Sequence, residues 1–203
     1  MKKFLSFLIL LLTITLTACG TPKALYYPGF QTTTGYKSTY FGFTFTTPSG
    51  YYLLSRERLI QETKMPLDAN SPTYAEDAIE YGKDNLVFEM DALHTTTGSN
   101  VMVGCFPYKP TDGDINNDTE FFKTHLPQFM GVPVTQSDKT TEIAGKEYLS
   151  FTLTTNESYG ALHHEIFVNT LEDKMVLIII SWLDGQEGAR ETLLNAFSDI
   201  DSE

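Results

Sequence analysis

The apolar run MVLIIISWL, from Met175 to Leu183, limits how this chain can fold more than any other feature of its sequence. Such a run is typical of a strand in the middle of a sheet that is covered on both faces. Two further strand candidates, KEYLSFTLTT and ALHHEIFVN, precede it and are joined to it by hairpin-like turns. In the first of them, Leu149, Phe151 and Leu153 share one face. The three segments together predict antiparallel hairpins.

The rest of the chain predicts further strands and four helices. Strands are expected between Tyr36 and Leu54, from Leu86 to His94 and from Ser99 to Tyr108. Helix start signals stand in four places, namely Ser55, Ser71 followed by Pro72, Asn117 with Glu120, and Asp184 with Glu187. Helical spacing of the apolar residues extends the last helix to Ile200. Helices before, between and after hairpins predict the α+β class, an antiparallel β-sheet with helices on both faces.

The first 18 residues are typical of an export signal. Lys2 and Lys3 provide a positive start, and an apolar stretch from Phe4 to Leu16 follows that is too short for an ordinary membrane-spanning helix. The next residues, LTAC, end at Cys19 and resemble the lipobox of bacterial lipoproteins. By that resemblance Cys19 carries a diacylglyceryl group and becomes the first residue of the mature chain, since two acyl chains form a stable anchor. The protein is then expected on the extracytoplasmic face of the cell membrane.

Net charge and chain length limit the possible partners and the number of domains. Removal of residues 1–18 takes away two lysines and no acids, which changes the formal net charge from −12 to −14. This sign argues against nucleic acid as a partner. The mature length fits one core, so we expect a flexible tether over residues 19–35 and a single domain over residues 36–203. With Cys19 lipidated, Cys105 has no disulfide partner.

The order of strands and turns resembles a known family. YKSTYFGFTFTTPSGYYLLSRE resembles the opening of the Mog1/PsbP-like domains of small bacterial lipoproteins, and FEMDALHTTTGSNVMVGC and IAGKEYLSFTL fit later parts of that pattern. Tyr51 stands where such sequences commonly have Trp. The resemblance implies an α/β/α sandwich in relatives that serve mainly as binding or assembly subunits. It transfers no binding residue to this chain.

The acidic stretch TDGDINNDTE is the one candidate cation site. It places Asp112, Asp114, Asn116, Asp118 and Glu120 at alternate positions, and the four acidic ones are the candidate ligands. An EF-hand needs Gly at its sixth position and Glu at its twelfth, and here those positions are Asn117 and Lys123. The EF-hand interpretation therefore fails, and the alternatives are weak cation binding or a solvated turn with a helix cap.

The histidines and the cysteine predict no catalytic site. His163 and His164 are neighbours on a strand, so their side chains leave opposite faces. His164 and His125 lie among apolar residues and are expected to be packed and hydrogen-bonded, and Cys105 follows Val101 and Val103 at period two and is expected to be buried. Because no nucleophile, zinc or phosphate-binding motif occurs, we expect no enzyme, no cofactor and no bound metal.

Three aromatic residues of the tether, Tyr26, Tyr27 and Phe30, are not explained by a strand pattern. They are expected to dock on the domain or on a partner. Two functions therefore stay open. One is a membrane-anchored module that binds or assembles with another envelope protein. The other is a lipid-anchored receptor for a small ligand or cation.

Overall fold

The computed structural model describes residues 25–110, 118, 122–126, 135–136, 140–158 and 160–200. Cys19, Asp112, Asp114 and Glu120 lie outside these ranges. The labelled elements, in chain order, are β1 (Phe30–Gln31), β2 (Gly35–Ser38), β3 (Phe43–Thr46), β4 (Tyr51–Leu53), α1 (Arg56–Thr63), α2 (Tyr74–Tyr81), β5 (Val87–His94), β6 (Asn100–Pro107), β7 (Thr135–Gln136), β8 (Thr141–Ile143), β9 (Lys146–Glu157), β10 (Gly160–Leu171), β11 (Lys174–Leu183), α3 (Gly188–Leu194) and β12 (Phe197–Asp199).

The larger sheet has the strand order β4-β5-β6-β11-β10-β9-β7, and β8 pairs with β9. Each pair of neighbours in it is antiparallel. The apolar strand β11 lies in the middle, where Ile178 is opposite Val103 on one side and Phe167 on the other. Residues 174–181 of β11 are buried without interruption. The central, doubly covered strand predicted from the sequence is confirmed.

Alternate residues of β11 contribute to two separate cores because successive side chains leave opposite faces of a sheet. Val176, Ile178 and Ile180 belong to the core on the first face. Met175, Leu177 and Ile179 belong to the core on the second face.

A second antiparallel sheet, with the order β1-β2-β3-β12, covers the first face. Its contribution to the core is mostly aromatic. The rings of Phe43 and Phe197 meet edge to face with centroids 5.1 Å apart, and Phe45 meets Phe197 at 5.0 Å. Leu193 of α3 is buried in the same core. Edge-to-face aromatic pairs add stability beyond their buried area.

The second face is covered by the helical residues 122–126. Phe122 and Leu126 pack there, with the Phe122 ring 5.9 Å from that of Phe151. A third cluster joins α1 and α2 to Val87 at the β5 end of the larger sheet. The predicted class, α+β with antiparallel sheet and helices on both faces, is confirmed, and the smaller sheet is an addition to it. None of the helices in the described ranges is both long and apolar enough to span a membrane.

The helix starts agree with the sequence only in part. Ser55 caps α1 as predicted, since its side chain accepts a 3.2 Å hydrogen bond from the backbone N–H of Arg58. The next helix starts at Tyr74 and not at Pro72, and the residue before it, Thr73, makes no side-chain cap bond to the backbone. Ser71 instead bonds the hydroxyl of Thr73 at 2.8 Å in the turn before the helix.

The final helix is shorter than predicted. It ends at Leu194, and Phe197–Asp199 form β12, which pairs with β3. The apolar residues that continue the helical spacing are used in the sheet, because Phe197 gains aromatic partners there that a longer helix would not provide. Asp184 and Glu187 form no reciprocal cap either. Glu187 accepts from the backbone N–H of Gly185, and Asp184 contacts His163.

Candidate functional site

Residues 25–31, which we call the N-terminal segment, form a fixed part of the folded domain. Exposed and buried side chains alternate from Leu25 to Pro28. Leu25, Tyr27 and Phe30 are exposed, whereas Tyr26 and Pro28 are buried. The alternation is typical of an extended chain lying on a surface.

Tyr26 holds the segment by packing into the first-face core. Only 6% of it is exposed, and its ring meets that of Tyr40 edge to face at 5.2 Å. The ammonium group of Lys174 lies 5.3 Å from the centroid of the Tyr26 ring and donates a hydrogen bond to the backbone carbonyl of Gly82. Burial, followed by the charge of Glu89, raises the pKa of Tyr26 well above its ordinary value, so the hydroxyl stays neutral.

Glu89 of β5 is the polar anchor of the segment. Its Oε2 accepts a 2.7 Å hydrogen bond from the backbone N–H of Gly29 and another from the hydroxyl of Tyr36. Its Oε1 is inaccessible to solvent and has no hydrogen-bond partner among the described residues. Burial raises the pKa of Glu89, and the bonds from Tyr36 and Gly29 oppose that shift.

Local backbone geometry explains why the chain has a glycine at this point. A Cβ on residue 29 would collide with the ring and hydroxyl of Tyr36. Glycine therefore permits the close approach that brings its N–H to Glu89. Two residues later, Gln31 pairs with Tyr36 in the sheet, and its side-chain amide donates to the carbonyl of Leu54.

These contacts bear on two predictions. Residues 26–31, which were predicted to belong to the tether, pack on the domain, so the folded unit begins before residue 36. Tyr26 docks on the domain, which is the first of the two alternatives left open for the tether aromatics, because it is buried in the core. Tyr27 and Phe30 do stay on the surface, with 57% and 50% of their area exposed.

A groove of about 330 Å³ lies between the N-terminal segment and the start of α2, and we call it the Phe30 groove. Its lining consists of Tyr27, Pro28, Gly29, Phe30, Arg56, Ser71, Pro72, Tyr74 and Ala75. The guanidinium of Arg56 lies over the Tyr74 ring at 4.1 Å from the centroid. Aromatic rings, prolines and an arginine in one groove form a surface of the kind that protein interfaces favour.

A second cavity, of about 720 Å³, lies on the second face of the larger sheet. We call it the sheet-face cavity. Its apolar lining includes Phe88, Met102, Leu162, Ile179 and Leu183, and its polar lining includes Asn100, His164 and Ser181. The Nδ1 of His164 and the hydroxyl of Ser181 are 2.8 Å apart. The volume and the mostly apolar lining are within the range of small-molecule sites.

Of the acidic stretch, the structure describes Asp118 alone. Asp118 is buried and accepts a hydrogen bond from the hydroxyl of Tyr108. Burial, followed by this bond and the carboxylate charge, raises the pKa of Tyr108. Asp112, Asp114 and Glu120 lie outside the described residues, so their proposed role as cation ligands stays a prediction. Within the described ranges, no group of three or more His, Cys, Asp or Glu side chains is arranged to hold a metal ion.

Cys105 is completely buried, as predicted, and burial raises the pKa of its thiol. The two neighbouring histidines leave opposite faces of β10, also as predicted. His164 contacts Ser181 at the sheet-face cavity, whereas His163 lies 3.1 Å from the Thr154 hydroxyl and 2.5 Å from the Asp184 carboxylate. The ring of His163 also stacks on Trp182, with centroids 5.7 Å apart.

Sequence reasoning missed Glu89, Arg56 and Leu25. The sequence contains one sign that Glu89 is unusual, because it is an acidic residue inside the otherwise apolar strand pattern LVFEM. A register shift between Phe88 and Met90 marks a bulge at that position, and period-two counting does not anticipate bulges.

Comparison with known proteins gives likenesses of fold at low identity. No protein-family model and no curated protein matches the sequence. A crystal structure from Bacteroides thetaiotaomicron VPI-5482 has a TM-score of 0.43 and 7% identity and covers 78% of this chain but only 45% of its own. Cyanobacterial PsbP (CyanoP) from Synechocystis sp. PCC 6803 has a TM-score of 0.42 and 13% identity and covers 90% of this chain and 97% of its own.

A third similar structure is LpqN of Mycobacterium tuberculosis, described as involved in cell envelope biogenesis. Its TM-score is 0.42 and its identity 10%, over 77% of this chain and 82% of its own. At these identities and TM-scores, neither residues nor activities transfer from the three structures to this chain.

Proposed function

We propose that this chain is a bacterial envelope lipoprotein, anchored through Cys19, that binds another envelope protein in the Phe30 groove. The observation that carries the proposal is that Phe30 is half exposed on a segment fixed to the domain by Tyr26 and Glu89. A surface aromatic held in place loses little conformational entropy on binding, which favours affinity.

The chemistry of the groove supports a protein partner. Arginine is enriched at interface hot spots, and Arg56 is exposed at one edge of the groove, where it lies over the buried ring of Tyr74. Arg56 provides a positive charge on a chain of formal net charge −12, so an acidic or carbonyl-rich segment of the partner is favoured at this point. The proposed activity is binding and not catalysis.

Lipidation at Cys19 supports the same function because it would confine this protein to the membrane surface on which its partner lies. The positive start, the apolar stretch and the residues LTAC are the features that predict it. Two proteins held at one membrane surface meet at a raised effective concentration, so a modest groove is sufficient for association.

Site-specific crosslinking in intact cells tests the proposal. A photoreactive phenylalanine analogue at Phe30 should give a discrete crosslinked product, and the same analogue at Tyr52 serves as the control, since Tyr52 is 43% exposed on β4 and outside the groove. Arg56→Ala should reduce the product. Equal crosslinking at the two positions would contradict the groove, and absence of lipid on Cys19 would contradict the anchor.

The sheet-face cavity favours a second candidate function, a lipid-anchored receptor for a small apolar ligand. Its apolar floor and the polar group around His164 would bury and orient such a molecule. Titration of the purified protein with an apolar fluorescent dye tests this function. Saturable binding that Met102→Trp abolishes, and that Phe30→Ser leaves unchanged, would support the receptor.

A further inference from the structure

We infer that Leu25 and Tyr27 rest in the headgroup region of the membrane that holds the lipid on Cys19, and that this contact fixes the orientation of the domain. The inference rests on the anchoring step of the proposed function. It assigns a membrane-contact surface to Leu25, which lies outside the Phe30 groove, and to Tyr27, which also lines that groove and is therefore shared by the two contacts.

The N-terminal segment has most of the exposed large apolar side chains in the described ranges. Within the described ranges, the exposed large apolar side chains are Leu25, Tyr27, Phe30 and Tyr52, at 88%, 57%, 50% and 43% of their area. Three of the four lie in the N-terminal segment. Exposed apolar side chains grouped in this way mark an interaction surface.

Buried neighbours hold Leu25 and Tyr27 on the surface. Tyr26 is buried between Leu25 and Tyr27, and Pro28 is buried on the other side of Tyr27. Because alternate residues of an extended segment point to opposite sides, the docking of Tyr26 keeps both neighbours outward. Neither side chain can turn into the core without removing Tyr26 from it.

Leu25 is close in the chain to the predicted lipid anchor, Cys19. Leu25 is six residues after Cys19 in the sequence. A chain spans at most about 3.6 Å per residue, so Leu25 cannot lie more than roughly 20 Å from the lipidated residue. The most exposed apolar side chain is thus held within one short span of the bilayer surface, and its removal from water there is favourable.

Side-chain type fits the headgroup region. Tyrosine is enriched where lipid meets water because its ring is apolar and its hydroxyl is polar. The concavity beside Leu25 and Tyr27 contains Lys83 and Lys174 as well as Glu172 and Asp173, so its formal charge is balanced. The net negative charge of the whole chain repels anionic lipid, which limits the contact to this segment.

Fluorescence quenching tests the inference in the full, membrane-extracted protein. The chain has one tryptophan, Trp182, so Trp182→Phe provides a silent background. Tyr27→Trp and the control Tyr52→Trp are then placed in it singly. Both proteins are reconstituted into phosphatidylethanolamine and phosphatidylglycerol vesicles with brominated acyl chains. Circular dichroism checks that each variant is folded, and Leu25→Trp provides a second reporter.

We expect quenching at Tyr27→Trp to exceed that at Tyr52→Trp by about twofold or more, because interfacial side chains lie within about 5–10 Å of the acyl boundary. Mass spectrometry of the same samples determines whether Cys19 is acylated. An acylated, folded protein with equal quenching at the two positions overturns this inference alone. A chain that carries no acyl group overturns the anchor and this inference together.

Discussion

The backbone N–H of Gly29 donates a 2.7 Å hydrogen bond to Oε2 of Glu89, a residue sixty positions later in the chain. The hydroxyl of Tyr36 donates to the same oxygen. One carboxylate in β5 of the larger sheet therefore holds both the N-terminal segment and β2 of the smaller sheet. This shared acceptor explains why the segment is ordered although it has only two residues in a strand.

Glu89→Ala should release the N-terminal segment. The change leaves the N–H of Gly29 and the hydroxyl of Tyr36 without their acceptor, and each unsatisfied buried donor costs about 1–3 kcal/mol. Amide hydrogen exchange should accelerate across residues 26–31, while the amides of β9, β10 and β11 keep their protection. Glu76→Ala, at an exposed position of α2, is the matched control and should change neither region. Unchanged exchange at Gly29 would contradict the role of Glu89.

Strand order could be predicted from the sequence where one physical signal dominated. The β9, β10 and β11 hairpins have short connections, and β9 alternates with a period of two. The register places Leu149 opposite Val168 and Ile166 opposite Ile179, as hydrophobic pairing requires. Burial on both faces of β11 followed from its continuous apolar run. These features are local in the sequence, so local reasoning was sufficient for them.

The smaller sheet and the candidate site depend on contacts distant in the sequence. Phe197 has helical spacing with Leu193, yet it pairs with Phe45, and no local rule prefers the sheet over the helix there. Docking of Tyr26 similarly depends on Glu89 and Tyr40, which come together only after folding. Sequence reasoning therefore recognised the unusual aromatics of the segment but could not determine which of them is buried.

Asp91 should make stability depend on pH. Burial, partly opposed by a 3.1 Å hydrogen bond from Asn100, raises the pKa of Asp91 to about 6. The unfolded chain has a pKa of about 3.9, so between about pH 4 and 6 the folded state binds a proton that the unfolded state does not. The free energy of unfolding should therefore fall as pH rises through this window and stay lower above it.

Asp91→Asn tests this dependence. The amide oxygen still accepts from Asn100, but no charge is buried at neutral pH. We expect a gain of roughly 1–3 kcal/mol at pH 7, measured by urea denaturation, and a shallower slope between about pH 4 and 6. The rise in the pKa of Glu89 acts in the same direction in both proteins and cancels in the comparison. Asp84→Asn, at an exposed position, is the control, and an equal gain from it would contradict the assignment to Asp91.

Ile178→Asp should unfold the domain. Ile178 is fully buried in the central strand, between Val103 and Phe167. A buried unpaired carboxylate costs several kcal/mol, which is comparable to the whole stability of a domain of this size. Asn156→Asp on β9 is at an exposed position opposite Ala161 and should have little effect. Far-ultraviolet circular dichroism separates the two results, and a folded Ile178→Asp protein would contradict the central position of the strand.

Cys105 should report the docking of Tyr26. Both residues are buried in the first-face core, and burial raises the thiol pKa, so the reactive thiolate is scarce in the folded state. Labelling by a maleimide should be slow in the native protein and fast in denaturant. Tyr26→Ala removes the side chain that covers this part of the core, so we expect labelling of Cys105 to accelerate by about tenfold or more through local opening. Tyr27→Ala, which changes an exposed neighbour, should leave the rate unchanged.

Mass spectrometry of the labelled peptide identifies Cys105 as the site of reaction. Equal labelling rates in the Tyr26→Ala and Tyr27→Ala proteins would show that Tyr26 does not protect Cys105.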